Sequence, residues 1–122
     1  MRLSLLLLIA ALAGLAPLQA RAQSSEITPQ ERYELGLKYA KRSNYPKAME
    51  QFNRVRNYHR DDPVSLLAEL AIADLYFKQG EYEQARYAYE DFARLHPRHD
   101  QLDLVQYRLG LSIYKRAPKL AQ

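Results

Sequence analysis

The chain has 122 residues, no cysteine and a formal net charge of +4 at pH 7. Its length fits one small domain, and the missing cysteine excludes disulfides, thiolate nucleophiles and cysteine metal sites. Arg2 and Arg21 lie in a segment that we expect to be removed, which leaves 16 basic and 14 acidic residues and gives no argument for nucleic-acid binding.

The first 22 residues have the pattern of a secretory signal peptide. Arg2 precedes a mostly apolar run from Leu3 to Ala16, and Ala20 and Ala22 supply the small residues of a cleavage site. A transmembrane helix is the alternative, but the run is shorter than the roughly 20 residues that a bilayer requires. We therefore predict secretion and cleavage before Gln23.

The same segment resembles a lipid-attachment site but lacks its cysteine. Leu12, Ala13 and Gly14 resemble the first three residues of a bacterial lipobox, in which the lipid-bearing cysteine comes next. Leu15 occupies that position, and leucine cannot carry the lipid. We therefore expect membrane association only through partner proteins.

Beyond the signal segment, the chain repeats itself at an offset of 37 residues. Large apolar residues, small residues and rings recur in the order of a tetratricopeptide repeat, which is a pair of antiparallel helices. Two unrelated amphipathic hairpins are the alternative, but the agreement of so many residue classes favours the repeat. The positions expected to pack the repeats together are Gly36, Tyr39, Ala48, Phe52, Ala73, Tyr76, Ala85, Tyr89 and Gly110.

Capping residues predict where the helices begin and end. Thr28 and Glu31 flank Pro29 as a capping box before the first helix. Asn44 and Asp62 each precede a proline that opens a later helix, and Gly80 interrupts the pattern after the third. We predict an all-α tetratricopeptide-repeat solenoid of five helices, or about two and a half repeats, divided as follows: signal peptide 1–22, linker 23–28, repeat domain 29–117 (repeat one 29–60, repeat two 63–97, half repeat 100–116) and C-terminal tail 118–122.

Candidate catalytic and metal-binding residues are few. His59, His96 and His99 lack a carboxylate cluster at ligand spacing, and a position near the ends of helices, where imidazoles meet free carbonyl groups, is the favoured interpretation. The acidic residues Asp61 and Glu81 lie near helix starts, where the helix dipole explains them. We therefore expect no catalytic residues, no metal and no cofactor.

The stretch from Phe92 to Pro97 and the following sequence YRLGLSIY, Tyr107 to Tyr114, resemble the N-terminal repeats of the BamD family. Members of this family are periplasmic lipoproteins of the outer-membrane β-barrel assembly machine. The resemblance covers about residues 30–118. It implies a non-catalytic adaptor in the periplasm, at the outer membrane. Its implied partners are the β-barrel assembly machinery and the C-terminal segments of unfolded outer-membrane proteins, with no nucleic acid.

The resemblance also implies a concave groove lined by the first helix of each repeat. Its rings would contact the aromatic end of a client peptide, and a lysine would meet the terminal carboxylate. A row of solvated charges is the alternative for the recurring lysines. The groove residues carried over from the family pattern are Tyr33, Leu37 and Lys41, then Leu70, Asp74, Phe77 and Lys78, then Tyr107, Leu111, Tyr114 and Lys115.

Two other functions fit the same pattern. One is a Tol-Pal-associated periplasmic repeat protein for cell division and envelope maintenance, although only Gln23 to Ile27 would be left for the coiled coil that precedes the repeats in that family. The other is the recognition module of a cell-wall enzyme. The absence of a nucleophile, base and orienting residue in one set favours the adaptor.

Overall fold

The computed structural model describes residues 26–118. Within that range the chain forms helices joined by short turns, with no strand. The five helices are α1 (Pro29–Lys41), α2 (Tyr45–Tyr58), α3 (Val64–Lys78), α4 (Tyr82–Leu95) and α5 (Leu102–Arg116). The predicted all-α solenoid is confirmed, whereas the predicted signal peptide, half of the linker and most of the tail lie outside the described residues.

Each helix packs on the next one along the chain, and α1 also contacts α3. The helices therefore form two antiparallel hairpins, α1 with α2 and α3 with α4, followed by α5 against α4. Stacked hairpins of this kind bury a continuous core between neighbouring repeats.

The helix starts show which capping predictions were right. The Glu31 amide donates to Thr28 Oγ1 over 3.1 Å, and the Thr28 amide donates to Glu31 Oε2 over 2.7 Å, so the capping box is present. The Val64 amide donates to Asp62 Oδ1 over 2.9 Å at the start of α3. Asn44 differs, because it stands at the N-cap of α2 but its side chain makes no capping hydrogen bond.

The two hairpin turns have the same backbone conformation at equivalent positions. Ser43 lies in the left-handed region with φ 58°, and Gly80, which is 37 residues later, has φ 76°. Glycine adopts such angles without steric cost, whereas serine does not. The repeat thus extends to the turns, although the residue at this position changes.

The core consists of two clusters that share α3. The first joins α2 to α3 and includes Phe52 and Leu75, with Tyr33 and Tyr39 of α1 packed against it. The second joins α3, α4 and α5, and its buried residues are Leu70, Ala73, Ala85, Tyr89, Phe92 and Val105. Because α3 supplies residues to both clusters, it is the central element of the domain.

The predicted packing residues fall into two groups. Ala48, Phe52, Ala73, Ala85 and Tyr89 are buried almost completely, and Tyr39 and Tyr76 are half-buried against the clusters. Gly36 is also buried, and a Cβ atom placed there would overlap the Phe52 ring.

Gly110 differs from the other predicted packing residues. It is exposed, and a Cβ atom there would meet nothing within 4 Å. The physical reason is that no helix among residues 26–118 crosses α5 at this point. The same range contains no helix long and apolar enough to cross a membrane.

Candidate functional site

A cleft of about 200 Å³ lies between the first helices of the three repeat units. These helices are α1, α3 and α5. The residues that line the cleft are Tyr33 and Leu37 from α1, Leu67, Leu70, Ala71 and Asp74 from α3, Leu104 and Arg108 from α5, and Gln101 just before α5.

The apolar part of the cleft is formed by leucines from all three helices. Leu70 is buried and belongs to the second core cluster. Leu37 and Leu104 are 44% and 40% exposed, respectively, so each leaves apolar surface in contact with water. Burying that surface under a ligand is favourable by the hydrophobic effect.

The polar part of the cleft is centred on Asp74. Arg108 Nη1 donates to both carboxylate oxygens of Asp74 over 2.8 and 2.7 Å, and the Tyr89 hydroxyl donates to Oδ1 over 2.5 Å. Asp74 lies on α3, Tyr89 on α4 and Arg108 on α5. These hydrogen bonds therefore tie three helices together, and charge-assisted bonds of this type are the stronger class.

Burial controls the titration of these groups. It raises the pKa of the Asp74 carboxyl, against the opposing effects of the Tyr89 hydrogen bond and the positive charges of Arg108 and Lys78. Burial, followed by the Asp74 charge, raises the pKa of Tyr33. Burial also raises the pKa of Tyr89, with its hydrogen bond to Asp74 as the next cause. Both hydroxyls therefore keep their protons at neutral pH, and that of Tyr89 donates to Asp74.

Of the predicted groove residues, the structure brings Tyr33, Leu37, Leu70 and Asp74 together in the cleft. Phe77 instead packs into the second core cluster, where its ring centroid lies 5.3 Å from that of Tyr82. Its side chain is therefore partly structural. Asp74 is also not a free carboxylate, because its oxygens are bound by Arg108 and Tyr89.

The predicted groove residues on α5 do not line this cleft. Tyr107 and Tyr114 are exposed, and Leu111 is half-buried. The three predicted lysines, Lys41, Lys78 and Lys115, are all exposed. Of these, Lys78 lies close enough to the polar part of the cleft for its positive charge to oppose the rise in the pKa of Asp74.

Sequence reasoning missed five cleft residues, and the offset of 37 could have found four of them. Leu67 and Leu104 are equivalent at this offset, as are Ala71 and Arg108. Both pairs point toward the cleft from α3 and α5. The fifth, Gln101, lies in the turn before α5, where helix periodicity gives no signal.

The histidines lie at helix ends, outside the cleft. His59 and His96 are the C-cap residues of α2 and α4, and His96 Nε2 lies 3.3 Å from Glu69 Oε2. The rings of His96 and His99 both pack on Phe92. Within residues 26–118, no group of three or more histidine, aspartate or glutamate side chains is placed to hold a metal ion.

The fold and the cleft define an all-α tetratricopeptide-like helical solenoid with a cleft shared by its first helices. Residues 25–122 match the family model YfiO, which is described as an outer membrane lipoprotein. The chain therefore belongs to this family. It is the same family of repeat proteins as the BamD family, to which the sequence of α4 and α5 bears its resemblance.

Proposed function

We propose that the chain is a non-catalytic periplasmic adaptor at the outer membrane and that its cleft binds segments of partner proteins. The observation that carries the proposal is the family match over residues 25–122. The cleft supports it, because the Asp74 carboxylate and the Arg108 guanidinium are bound to each other. What the cleft offers a ligand is apolar surface and the Tyr33 hydroxyl, which suits binding.

The ligand best matched to the cleft is the C-terminal segment of an unfolded outer-membrane protein, ending in an aromatic residue and a free carboxylate. The aromatic ring would cover Leu37 and Leu104, whose side chains are partly exposed. The carboxylate would approach Lys78 at the polar end. Apolar burial supplies most of the affinity, because an exposed ion pair contributes only about 1 kcal/mol or less.

Leu104→Ser is the variant that tests the cleft. Leu104 is partly exposed, so its replacement removes ligand contact at small cost to the fold. Phe77→Ala is less informative because Phe77 also packs on Tyr82. Tyr58→Ser is a matched control, since Tyr58 lies on α2, is 79% exposed and does not line the cleft.

The measurement is fluorescence anisotropy of a labelled peptide ending in phenylalanine, titrated with the full chain. We expect Leu104→Ser to weaken binding about tenfold and Tyr58→Ser to leave it unchanged. Amidation of the peptide terminus should weaken binding by a smaller factor, about threefold. Equal affinity of Leu104→Ser and Tyr58→Ser would rule out the cleft as the binding surface.

We propose that the mature chain begins at Gln23 and reaches the membrane through partners, because its 122 residues include no cysteine for a lipid. Mass spectrometry of the protein from the periplasmic fraction tests the first part. Tight membrane retention of the purified chain without partners would contradict the second. Pull-downs that recover Tol or Pal components and no part of the β-barrel assembly machine would replace the proposed partners with that alternative.

A further inference from the structure

A second concave surface lies between α2 and α4. It consists of two adjoining cavities of about 330 and 510 Å³, both of which are lined by Arg56 and Glu69. Because they share these residues, they form one continuous groove, which we call the outer groove. Arg56 comes from α2 and Glu69 from α3, while Asp91 and His96 come from α4 and its C-cap.

The outer groove lies on the opposite side of α3 from the cleft. The cleft is lined by Leu67, Leu70, Ala71 and Asp74, whereas the outer groove is lined by Ser65, Leu66, Glu69, Ile72 and Tyr76. At about 100° of rotation per residue, these two sets point roughly half a turn apart. A ligand in one surface therefore leaves the other open.

The two arginines and two carboxylates that line the outer groove do not pair with one another. Glu69 faces His96 at 3.3 Å, and Asp91 accepts from Arg94 over 3.2 Å, so each carboxylate has a partner. Arg56 and Arg60 are exposed at the α2 end of the groove.

Neither of these two arginines forms an ion pair within residues 26–118. Arg56 Nε donates only to the neutral side chain of Asn57, over 3.3 Å. This end of the groove therefore carries two positive charges that a ligand can neutralise.

The apolar part of the groove combines a buried floor with exposed edges. Ile72 of α3 is buried in the first core cluster. On α4, Tyr87 and Leu95 are 54% and 55% exposed. The Arg86 guanidinium lies over the Tyr87 ring, 4.1 Å from its centroid, in a cation–π contact.

We infer that the outer groove binds an extended acidic segment of a partner protein, in which two or more carboxylates adjoin an apolar residue. The carboxylates would meet Arg56 and Arg60, whose guanidinium groups suit carboxylate geometry. The apolar side chain would lie against Tyr87 and the α3 floor. Charge complementarity selects this occupant, because Glu69 and Asp91 already contact His96 and Arg94, whereas the two arginines form no ion pair within residues 26–118.

The experiment uses the full chain and a labelled ten-residue peptide in which two glutamates adjoin a phenylalanine. Both peptide ends are blocked, so that a free terminus cannot bind in the cleft. A second peptide with glutamines in place of the glutamates is the matched ligand control. Binding is followed by fluorescence anisotropy at low and at moderate salt.

The test variant is Arg56→Glu/Arg60→Glu, and the charge-matched control is Lys38→Glu/Arg42→Glu on the exposed surface of α1 and its C-cap. We expect the test variant to weaken binding of the acidic peptide at least about tenfold, and the control to change it less than about threefold. The glutamine peptide should bind as weakly to the wild type as the acidic peptide does to the test variant. Added salt should weaken acidic-peptide binding.

Several results would overturn the inference. They are equal binding of the glutamine and glutamate peptides, equal loss in both double variants, or no acidic-peptide binding to the wild type. Displacement of the blocked peptide by the cleft peptide would also overturn it, because the two surfaces would then not be separate. Binding of anionic lipid vesicles through the same arginines, without peptide binding, would assign the groove to a membrane surface instead. None of these results bears on the Leu104→Ser test of the cleft.

Discussion

Helices α3 and α5 are each 15 residues long, yet the chain buries them very differently. Eight residues of α3 are buried, whereas only Val105 and Ser112 of α5 are. α3 lies between the two hairpins and has partners on both sides, whereas among residues 26–118 α5 packs mainly against α4. Apolar residues such as Leu104 and Ile113 consequently remain exposed on α5. Position in the stack, together with the more apolar sequence of α3, determines how much each helix contributes to stability and how much apolar surface it leaves exposed.

The largest expected effect compares one leucine from each helix. Leu75 of α3 is 1% exposed in the first core cluster, whereas Leu104 of α5 lies on the edge of the cleft. Leu75→Ala should lower the free energy of unfolding by about 2 to 5 kcal/mol, because it leaves a cavity. Leu104→Ala should lower it by less than about 1 kcal/mol. Urea denaturation of both variants checks this, and similar losses would mean that α5 is as well packed as α3.

The next prediction compares two glycines that the repeat makes equivalent. Gly36→Ala should destabilise the fold by about 1 to 3 kcal/mol, because the new Cβ atom would overlap the buried Phe52 ring. Gly110→Ala should stabilise it by about 0.5 to 1 kcal/mol, since alanine is the better helix former and the site is open. Thermal melts of the two variants should shift in opposite directions. A loss of stability for Gly110→Ala would show that this site is packed in solution.

A smaller effect concerns the ion pair between α3 and α5. Arg108→Met should cost about 1 kcal/mol at neutral pH, because it leaves the half-buried Asp74 carboxylate without its cation. The pKa of Asp74 is already raised by burial and would rise further. Because the folded pKa of Asp74 lies above its unfolded value of 3.8, the protonated carboxyl stabilises the fold below pH 3.8. That stabilisation is lost as pH rises through the folded pKa. The cost should therefore be largest at neutral pH and disappear below about pH 3.8.

Urea denaturation over a pH series measures this cost. The double variant Asp74→Asn/Arg108→Met is the control, because it has no carboxylate to titrate at this position. A cost for Arg108→Met that stays constant with pH would mean that Arg108 acts through packing alone.

The smallest effect lies at the exposed contact between α4 and α5. Arg116 Nη1 donates to Glu83 Oε2 over 2.7 Å, and Arg86 donates to Glu83 Oε1 over 2.8 Å. The bond from Arg86, followed by that from Arg116, lowers the pKa of Glu83 from 4.5 to about 2. The ionised Glu83 carboxylate therefore contributes its full stabilisation above pH 4.5, and this contribution is lost as pH falls through about 2.

Glu83→Gln should remove this acid sensitivity and leave a flatter melting temperature between pH 4.5 and about 2. Asp61→Asn is the control, because Asp61 lies in the exposed turn before α3. This variant should keep the wild-type dependence of melting temperature on pH. Melting temperatures of both variants are measured over this pH range. The prediction fails if the melting temperature of each variant depends on pH as that of the wild type does.

The helices could be predicted from the sequence because their signals are local. The capping box at Thr28, the left-handed turn at Gly80 and the recurring rings each act within one or two turns of helix. The predicted start of α5 was less accurate. The half repeat was predicted to begin at Asp100, but a turn precedes the helix, which begins at Leu102. A turn with repeated i to i+3 hydrogen bonds resembles the first turn of a helix in sequence.

The cleft was predicted only in part, because it depends on contacts between helices that are distant in sequence. The family pattern placed Asp74 in the groove but gave no sign that Arg108 and Tyr89 bind it. Those partners are set by how α4 and α5 rotate against α3. Phe77 illustrates the same limit, since nothing in the sequence indicated that this predicted groove ring packs against Tyr82 across a turn.

The pair of left-handed turns has a consequence for laboratory evolution of this domain. Ser43 holds a backbone conformation that costs an ordinary residue about 1 kcal/mol or more, whereas Gly80 holds the same conformation without that cost. Substitution of Ser43 by glycine or asparagine is therefore open to selection for stability. At Gly80 nearly every replacement introduces strain, even though a Cβ atom would have free space. Two turns with one shape thus differ in how freely their sequences can change.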